Sequence, residues 1–255
     1  MDNHHTTGKI ALVTGANKGI GRAAAELLAV HGSTVLVGAR DLERGESTAA
    51  AIRESGGDAQ AITLDVTDPA TTRKASEHVA EQFGRLDILI NNAGMTSYQQ
   101  VDPDKAYDQL PSTVDLDMVR AVFETNVFGV ISVTNAFLPL LRRSQAARIV
   151  NVGSHAGSLA LIGDPDGPFA GLLPSAAYSP SKTALNALTV NYANELRKDG
   201  VLVNAVAPGY VDTDSNNHTG FLTPAQGATI LVRLATLGAD GPTGGFFAED
   251  GPLPW

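Results

Sequence analysis

Apolar runs of strand length recur along the chain: KIALVT (9–14), STVLVGA (33–39), AQAITL (59–64), LDILIN (86–91), ARIVNVG (147–153), VLVNAVA (201–207) and GGFFA (244–248). Most are rich in Val, Ile and Leu without polar alternation, the pattern of parallel strands covered on both faces. Between them the period changes. In GIGRAAAELLAVHG, Ile20, Ala24, Leu27 and Leu28 keep the i, i+4, i+7, i+8 spacing of one helical face. Asp68-Pro69 before TTRKASEHVAEQF reads as an N-cap followed by Pro at the first helical position. Further helices are expected near 41–55, 115–140, 179–198 and 224–236. Unbroken strand–helix alternation predicts one doubly wound α/β domain with a parallel sheet over 9–255, preceded by a flexible tail at 1–8. No repeat or linker divides it.

Composition narrows the chemistry. The 255 residues include no cysteine, which excludes disulfides, thiolate catalysis and a thiolate zinc site. A net charge of −9 argues against a nucleic-acid partner or an anionic-membrane surface, without excluding a small basic pocket. The start MDNHHTTGK has no apolar leader core, and no run in the sequence approaches a membrane span. His4 and His5 read as part of the tail rather than as metal ligands, no metal is expected, and a cytoplasmic location is the default.

Two connections exceed what the fold requires: residues 95–115 after the fourth strand and 154–177 after the fifth. Both leave the C-terminal ends of strands, where open α/β sheets bind ligands, and loops longer than about 12–15 residues commonly serve function. TGANKGIG (14–21) joins the first strand to the first helix. Gly15, Gly19 and Gly21 permit a tight turn and close backbone approach, and the helix start aims free N–H groups and a positive dipole end at a pyrophosphate. The second strand ends VGAR. Dinucleotide sites that prefer an unphosphorylated ribose place an acidic residue near this point; here Ala39 is followed by Arg40, and Lys18 lies inside the glycine loop. Two cations at these places suit a ribose 2′-phosphate, hence NADP rather than NAD.

YSPSK (178–182) places Tyr178 and Lys182 four residues apart on one helical face, and Pro180 is tolerated only in the first turn. By themselves these residues allow either a surface pair or a proton-transfer pair.

Taken together, the ordered motifs TGANKGIG, DV (65–66), NNAG (91–94), Asn126 in VFETNVFG, Ser154 in IVNVGS, YSPSK and APGYVDT (207–213) resemble the short-chain dehydrogenase/reductase family from about residue 8 to the C-terminus. The resemblance implies a single Rossmann-type domain with a seven-stranded parallel sheet. It implies a catalytic tetrad of Asn126, Ser154, Tyr178 and Lys182. The cofactor would be held by Gly15, Asn17, Lys18, Gly19, Ile20, Gly21, Arg40, Asp65, Val66, Asn92, Ala93, Gly94, Tyr178, Lys182, Pro208, Gly209, Val211 and Thr213. Asp65 would accept from the adenine amine, the backbone of Val66 would touch the ring, and residues 208–213 would hold the nicotinamide end. Asn126 would position a water leading from Lys182 to solvent.

Ser154 and Tyr178 are 24 residues apart, further than the family commonly places them. The segment 155–177 and the ending GGFFAEDGPLPW resemble the carbonyl-reductase branch, in which a longer insertion covers an oligomerisation helix and a monomer is favoured. His155, Leu159, Leu161, Ile162, Phe169, Leu172 and Leu173 are candidates for lining a hydrophobic substrate pocket. The reading is an NADPH-dependent reductase of a small-molecule ketone, aldehyde or quinone. The alternatives are a biosynthetic ketoreductase of larger or carrier-bound substrates, and a non-catalytic NADP(H)-binding sensor.

Overall fold

The apolar runs form strands because each alternates its side chains between two buried helix layers. A computed structural model of the protein describes residues 8–96 and 110–255. Its sheet has the order β3-β2-β1-β4-β5-β6-β7-β8, with β1 (Ile10–Thr14), β2 (Thr34–Ala39), β3 (Asp58–Thr63), β4 (Ile88–Asn91), β5 (Arg148–Val152), β6 (Leu202–Val206), β7 (Phe246–Ala248) and β8 (Gly251–Pro252). The helices are α1 (Gly19–Val30), α2 (Leu42–Glu54), α3 (Pro69–Phe83), α4 (Leu116–Phe123), α5 (Gly129–Leu141), α6 (Leu159–Ile162), α7 (Tyr178–Leu196) and α8 (Pro224–Ala235).

One layer buries Ala24, Leu28, Ile52, Ile230 and Leu231 from α1, α2 and α8 against Ala11, Val13, Val35, Val37 and Val150. The other sets Val79, Val133, Phe137 and Leu196 from α3, α5 and α7 against Ile10, Leu12, Leu36, Leu89 and Ile149. The odd and even residues of β1 thus serve opposite cores. The central strands β1, β4, β5 and β6 are buried throughout, whereas β3, at the sheet edge, exposes Asp58 and Thr63.

The sheet departs from the sequence expectation in one respect. It has eight strands rather than seven, and the eighth pairs antiparallel with β7, Phe247 opposite Pro252. A two-residue Gly-Pro strand has no apolar run; the chain reverses at Glu249-Asp250, and Gly251 leaves that turn at φ 136°.

A second departure concerns the membrane. Residues 116–141 run as one helical rod of α4, a π-helical turn (124–128) and α5, long and apolar enough to cross a bilayer with a mean hydropathy of 1.3. Its polar and charged residues interrupt the apolar pattern in sequence, so no span is legible there. Half of the stretch is buried inside the protein, where α5 packs on α3 and α4 on α7, as core helices do.

The expected tail lies outside the described residues except for Gly8, whose N–H donates to Gly32 O at 3.2 Å and whose carbonyl accepts from Arg85 at 2.8 Å. Of the long connection after β4, residues 97–109 also lie outside them. The strand order reverses between β1 and β4, opening a crevice at their C-terminal ends. The glycine loop, the NNAG stretch and the connections after β5 and β6 all leave strands at that edge.

Candidate active site

The glycine loop is built by close approach. Gly15 (φ 63°) and Gly19 (φ 57°) occupy the left-handed region. At Gly21 a Cβ would sit 2.3 Å from Asn92 Nδ2 and 2.7 Å from Gly15 O, so only glycine lets α1 approach the NNAG stretch. Thr14 at the end of β1 fastens the two: its hydroxyl accepts from Asn92 N at 3.0 Å and Ala93 N at 2.9 Å. No side chain caps α1, and its first turn has no acidic residue, so its N–H groups face the crevice as an anion site. A diphosphate fits this cradle.

Asp65, expected to meet the adenine, uses Oδ1 to accept from the N–H and hydroxyl of Thr67, at 2.9 and 2.8 Å. The Val66 side chain is buried; a Cβ on Gly129 would lie 2.8 Å from it. Arg40 is exposed and has no partner among the described residues. Lys18 does have one: its Nζ lies 2.5 Å from Asp214 Oδ2, and this bond is the largest cause of the lowered Asp214 pKa. Asp214 opens a short 3-10 turn (214–216) beyond β6, and Thr213 before it reaches within 3.4 Å of where a Gly19 Cβ would stand. His218 sets Nδ1 2.6 Å from Asp212 and Nε2 3.0 Å from Asp214, and the Asp212 hydrogen bond is the main reason its pKa is raised. Val211 turns its side chain toward Gly227 of α8.

At the other end of the crevice, α7 begins at Tyr178, with Pro180 in its first turn as expected. Ser175 Oγ accepts from the N–H groups of Ala177 and Tyr178, both at 3.1 Å, and so caps the helix. Lys182 is buried, 5% exposed; its Nζ donates to Val152 O at 2.7 Å and lies 5.8 Å from the Tyr178 ring centre. Burial pushes the ammonium down from 10.5 to about 8. Asn126 sits in the π-helical turn. Its Oδ1 accepts from Met95 N at 2.8 Å, and its Nδ2 donates to Met95 O at 2.9 Å and Ser181 Oγ at 3.0 Å. A Cβ on Gly94 would stand 3.5 Å from Asn126 Oδ1 and 3.6 Å from Lys182 Nζ, so these three meet. Ser154 follows β5 and caps the turn 155–157, accepting from Ala156 N at 3.2 Å. That turn is pinned to α7, since Gly157 O accepts from Thr183 Oγ1 at 3.0 Å and Asn186 Nδ2 at 3.1 Å.

Over residues 9–220 the chain matches the family model described as short chain dehydrogenase. It belongs to the short-chain dehydrogenase family. It is 36% identical over 249 residues to short-chain dehydrogenase anuI of Penicillium roqueforti (strain FM164), covering 96% of this chain and 95% of the relative. It is 34% identical to salutaridine reductase of Papaver bracteatum, covering 96% of each. Among solved structures it resembles the RhlG/NADP active-site complex of Pseudomonas aeruginosa, with a TM-score of 0.82, 31% identity and 98% of each chain covered.

In this short-chain dehydrogenase the insertion folds against the C-terminal residues. Ser158 Oγ donates to Pro254 O at 2.8 Å and Ala160 N to Trp255 O at 3.0 Å, while Trp255 stacks on Phe246 at 5.5 Å. His155 stacks on Phe169, ring centres 5.3 Å apart, and burial lowers its pKa. Among the expected pocket residues, Leu161, Ile162 and Leu173 are half-buried, whereas Leu159 and Leu172 are exposed. Sequence reasoning passed over Thr14, Ser181 and Asp214. The first two sit inside motifs already singled out and could have been found by asking which side chain fixes each motif; nothing in the spacing joins Asp214 to Lys18.

Proposed function

We propose that this chain reduces a ketone, aldehyde or quinone carbonyl to an alcohol with NADP(H) as cofactor. The observation that carries the reading is the buried Lys182 ammonium one helical turn from Tyr178. NADPH, when bound, supplies the hydride that adds to the carbonyl carbon. Tyr178 and Ser154 donate hydrogen bonds to the carbonyl oxygen as negative charge grows there, and Tyr178 delivers the proton. A free phenol, at a pKa of about 10, is a poor acid–base group near neutrality. The Lys182 charge favours the phenolate and brings that value toward the working pH. Asn126 anchors Met95 and Ser181 beside Lys182 and neighbours the water path by which the proton is replaced. Lys18 and Arg40 take the ribose 2′-phosphate, the first turn of α1 the diphosphate, and Asp65 the adenine amine. The segment 155–177 covers the substrate.

The test is NADPH consumption across a carbonyl panel, with Tyr178→Phe beside wild type. Wild type is expected to turn over at least one carbonyl class, and the variant to keep cofactor binding while losing about 10²–10⁴-fold in kcat. A wild type that binds NADPH but reduces nothing, or a variant retaining half its turnover, overturns the reading.

A further inference from the structure

We propose that Asp214 is a cofactor-specificity residue, which holds Lys18 across the mouth of the dinucleotide crevice and yields it to the ribose 2′-phosphate. The inference rests on the reading of Lys18 as a 2′-phosphate ligand. Lys18 is the residue just before α1, and Asp214 lies on the connection after β6, 196 residues away, so their ion pair spans two walls of the crevice. A third wall is tied in by Thr96 Oγ1, which donates to Ser215 O at 3.1 Å. The Thr213 methyl packs over Gly19, which sets the height of this strap above the glycine loop.

The pair is poised to exchange. Both side chains are more than half exposed, 58% and 51%, so solvent screens their attraction. A phosphate monoester brings close to two negative charges and three acceptor oxygens where the carboxylate brings one charge. Asp214 is not left unpaired when Lys18 departs, because His218 Nε2 remains 3.0 Å from its other oxygen. Among the described residues no group of three or more acidic or imidazole side chains could hold a metal ion, so this cluster is an ion-pair network. NADH offers Lys18 nothing to leave for. Asp214 therefore taxes NADP(H) binding alone, both by competing for the ammonium and by adding a negative charge near the phosphate.

The experiment is calorimetric titration of NADP⁺ and NAD⁺ into wild type, Asp214→Asn, Lys18→Ala and the double variant. Asp214→Asn is expected to bind NADP⁺ about two- to fivefold more tightly, the value of one exposed ion pair, and NAD⁺ no more tightly than wild type. The gain should fade at high salt and shrink in the Lys18→Ala background. If Lys18→Ala weakens NADP⁺ selectively while Asp214→Asn leaves NADP⁺ unchanged or weaker, the role of Lys18 stands and that of Asp214 falls. If Lys18→Ala does not alter the ratio of the two affinities, the reading of Lys18 falls and the proposal with it.

Discussion

Replacing Lys182 with Met should make the cofactor-free protein more stable while abolishing turnover. The ammonium is buried, with one hydrogen bond to Val152 O and, among the described residues, no carboxylate paired to it. Holding a lysine at about 8 rather than 10.5 costs about 3 kcal/mol of folding stability wherever both folded and unfolded chains are protonated. That cost is complete below pH 8. It diminishes as pH rises from 8 to 10.5, where the folded protein has lost the proton and the unfolded chain has not. Met occupies similar volume without the charge. It leaves Val152 O without its partner, a loss of about 1–2 kcal/mol. The net gain at pH 7 is therefore about 1–2 kcal/mol, or roughly 2–8 °C in Tm for a chain of this size. Thermal unfolding of the apoprotein at pH 7 and pH 10, monitored by circular dichroism, measures both ends. The variant should melt higher at pH 7 and lose the advantage by pH 10. A variant that melts lower at pH 7, or one whose difference from wild type does not change with pH, would refute the assignment of a desolvated ammonium.

Three further outcomes are expected. Arg40→Asp should weaken NADPH by about tenfold to a hundredfold, the value of one charged hydrogen-bonding contact, with little change for NADH, as read by cofactor fluorescence; equal losses for both cofactors would remove Arg40 from the 2′-phosphate. Trimming residues 160–171 to a short Gly-Ser link should raise KM for bulky apolar ketones more than for small ones, and light scattering of wild type should find a monomer; a stable tetramer would defeat shielding by the insertion, and an unchanged KM would defeat its role as a cover. Gly21→Ala should lower Tm and weaken both NADPH and NADH, because its Cβ would lie 2.3 Å from Asn92 Nδ2; overpacking of this kind costs about 1–3 kcal/mol, and a wild-type Tm would contradict the close approach.

The parts of the fold legible in the sequence were those written locally. The runs of β1, β4, β5 and β6 announced themselves because both faces are buried, and Asp68-Pro69 marked the start of α3 because capping is a contact between near neighbours. The glycine loop was legible for the same reason, since its glycines sit where φ or a close approach demands them. What escaped depended on distant pairing. Lys18 read as a phosphate ligand, and nothing near it in sequence reveals its pairing with Asp214. The strand β8 escaped because two residues make no period. The helix expected near 115–140 is present, but its apolar length as a single rod was hidden by Asp117, Arg120 and Glu124, all of them exposed.

The π-helical turn at 124–128 makes the geometry of the candidate site sensitive to chain length as well as to the identity of Asn126. Within it Gly129 N reaches back five residues to Glu124 O, one more than an α-helix requires. Removing a single residue from this stretch would let the backbone relax into regular α-helix, a locally more favourable ladder. It would also swing everything on one side of the deletion by about 100° relative to the other. Asn126 could then no longer clamp Met95 and Ser181 while Val133 and Phe137 kept their places in the core. A deletion here therefore forces a choice between the register of the core and the register of the site, which substitution at any one position does not.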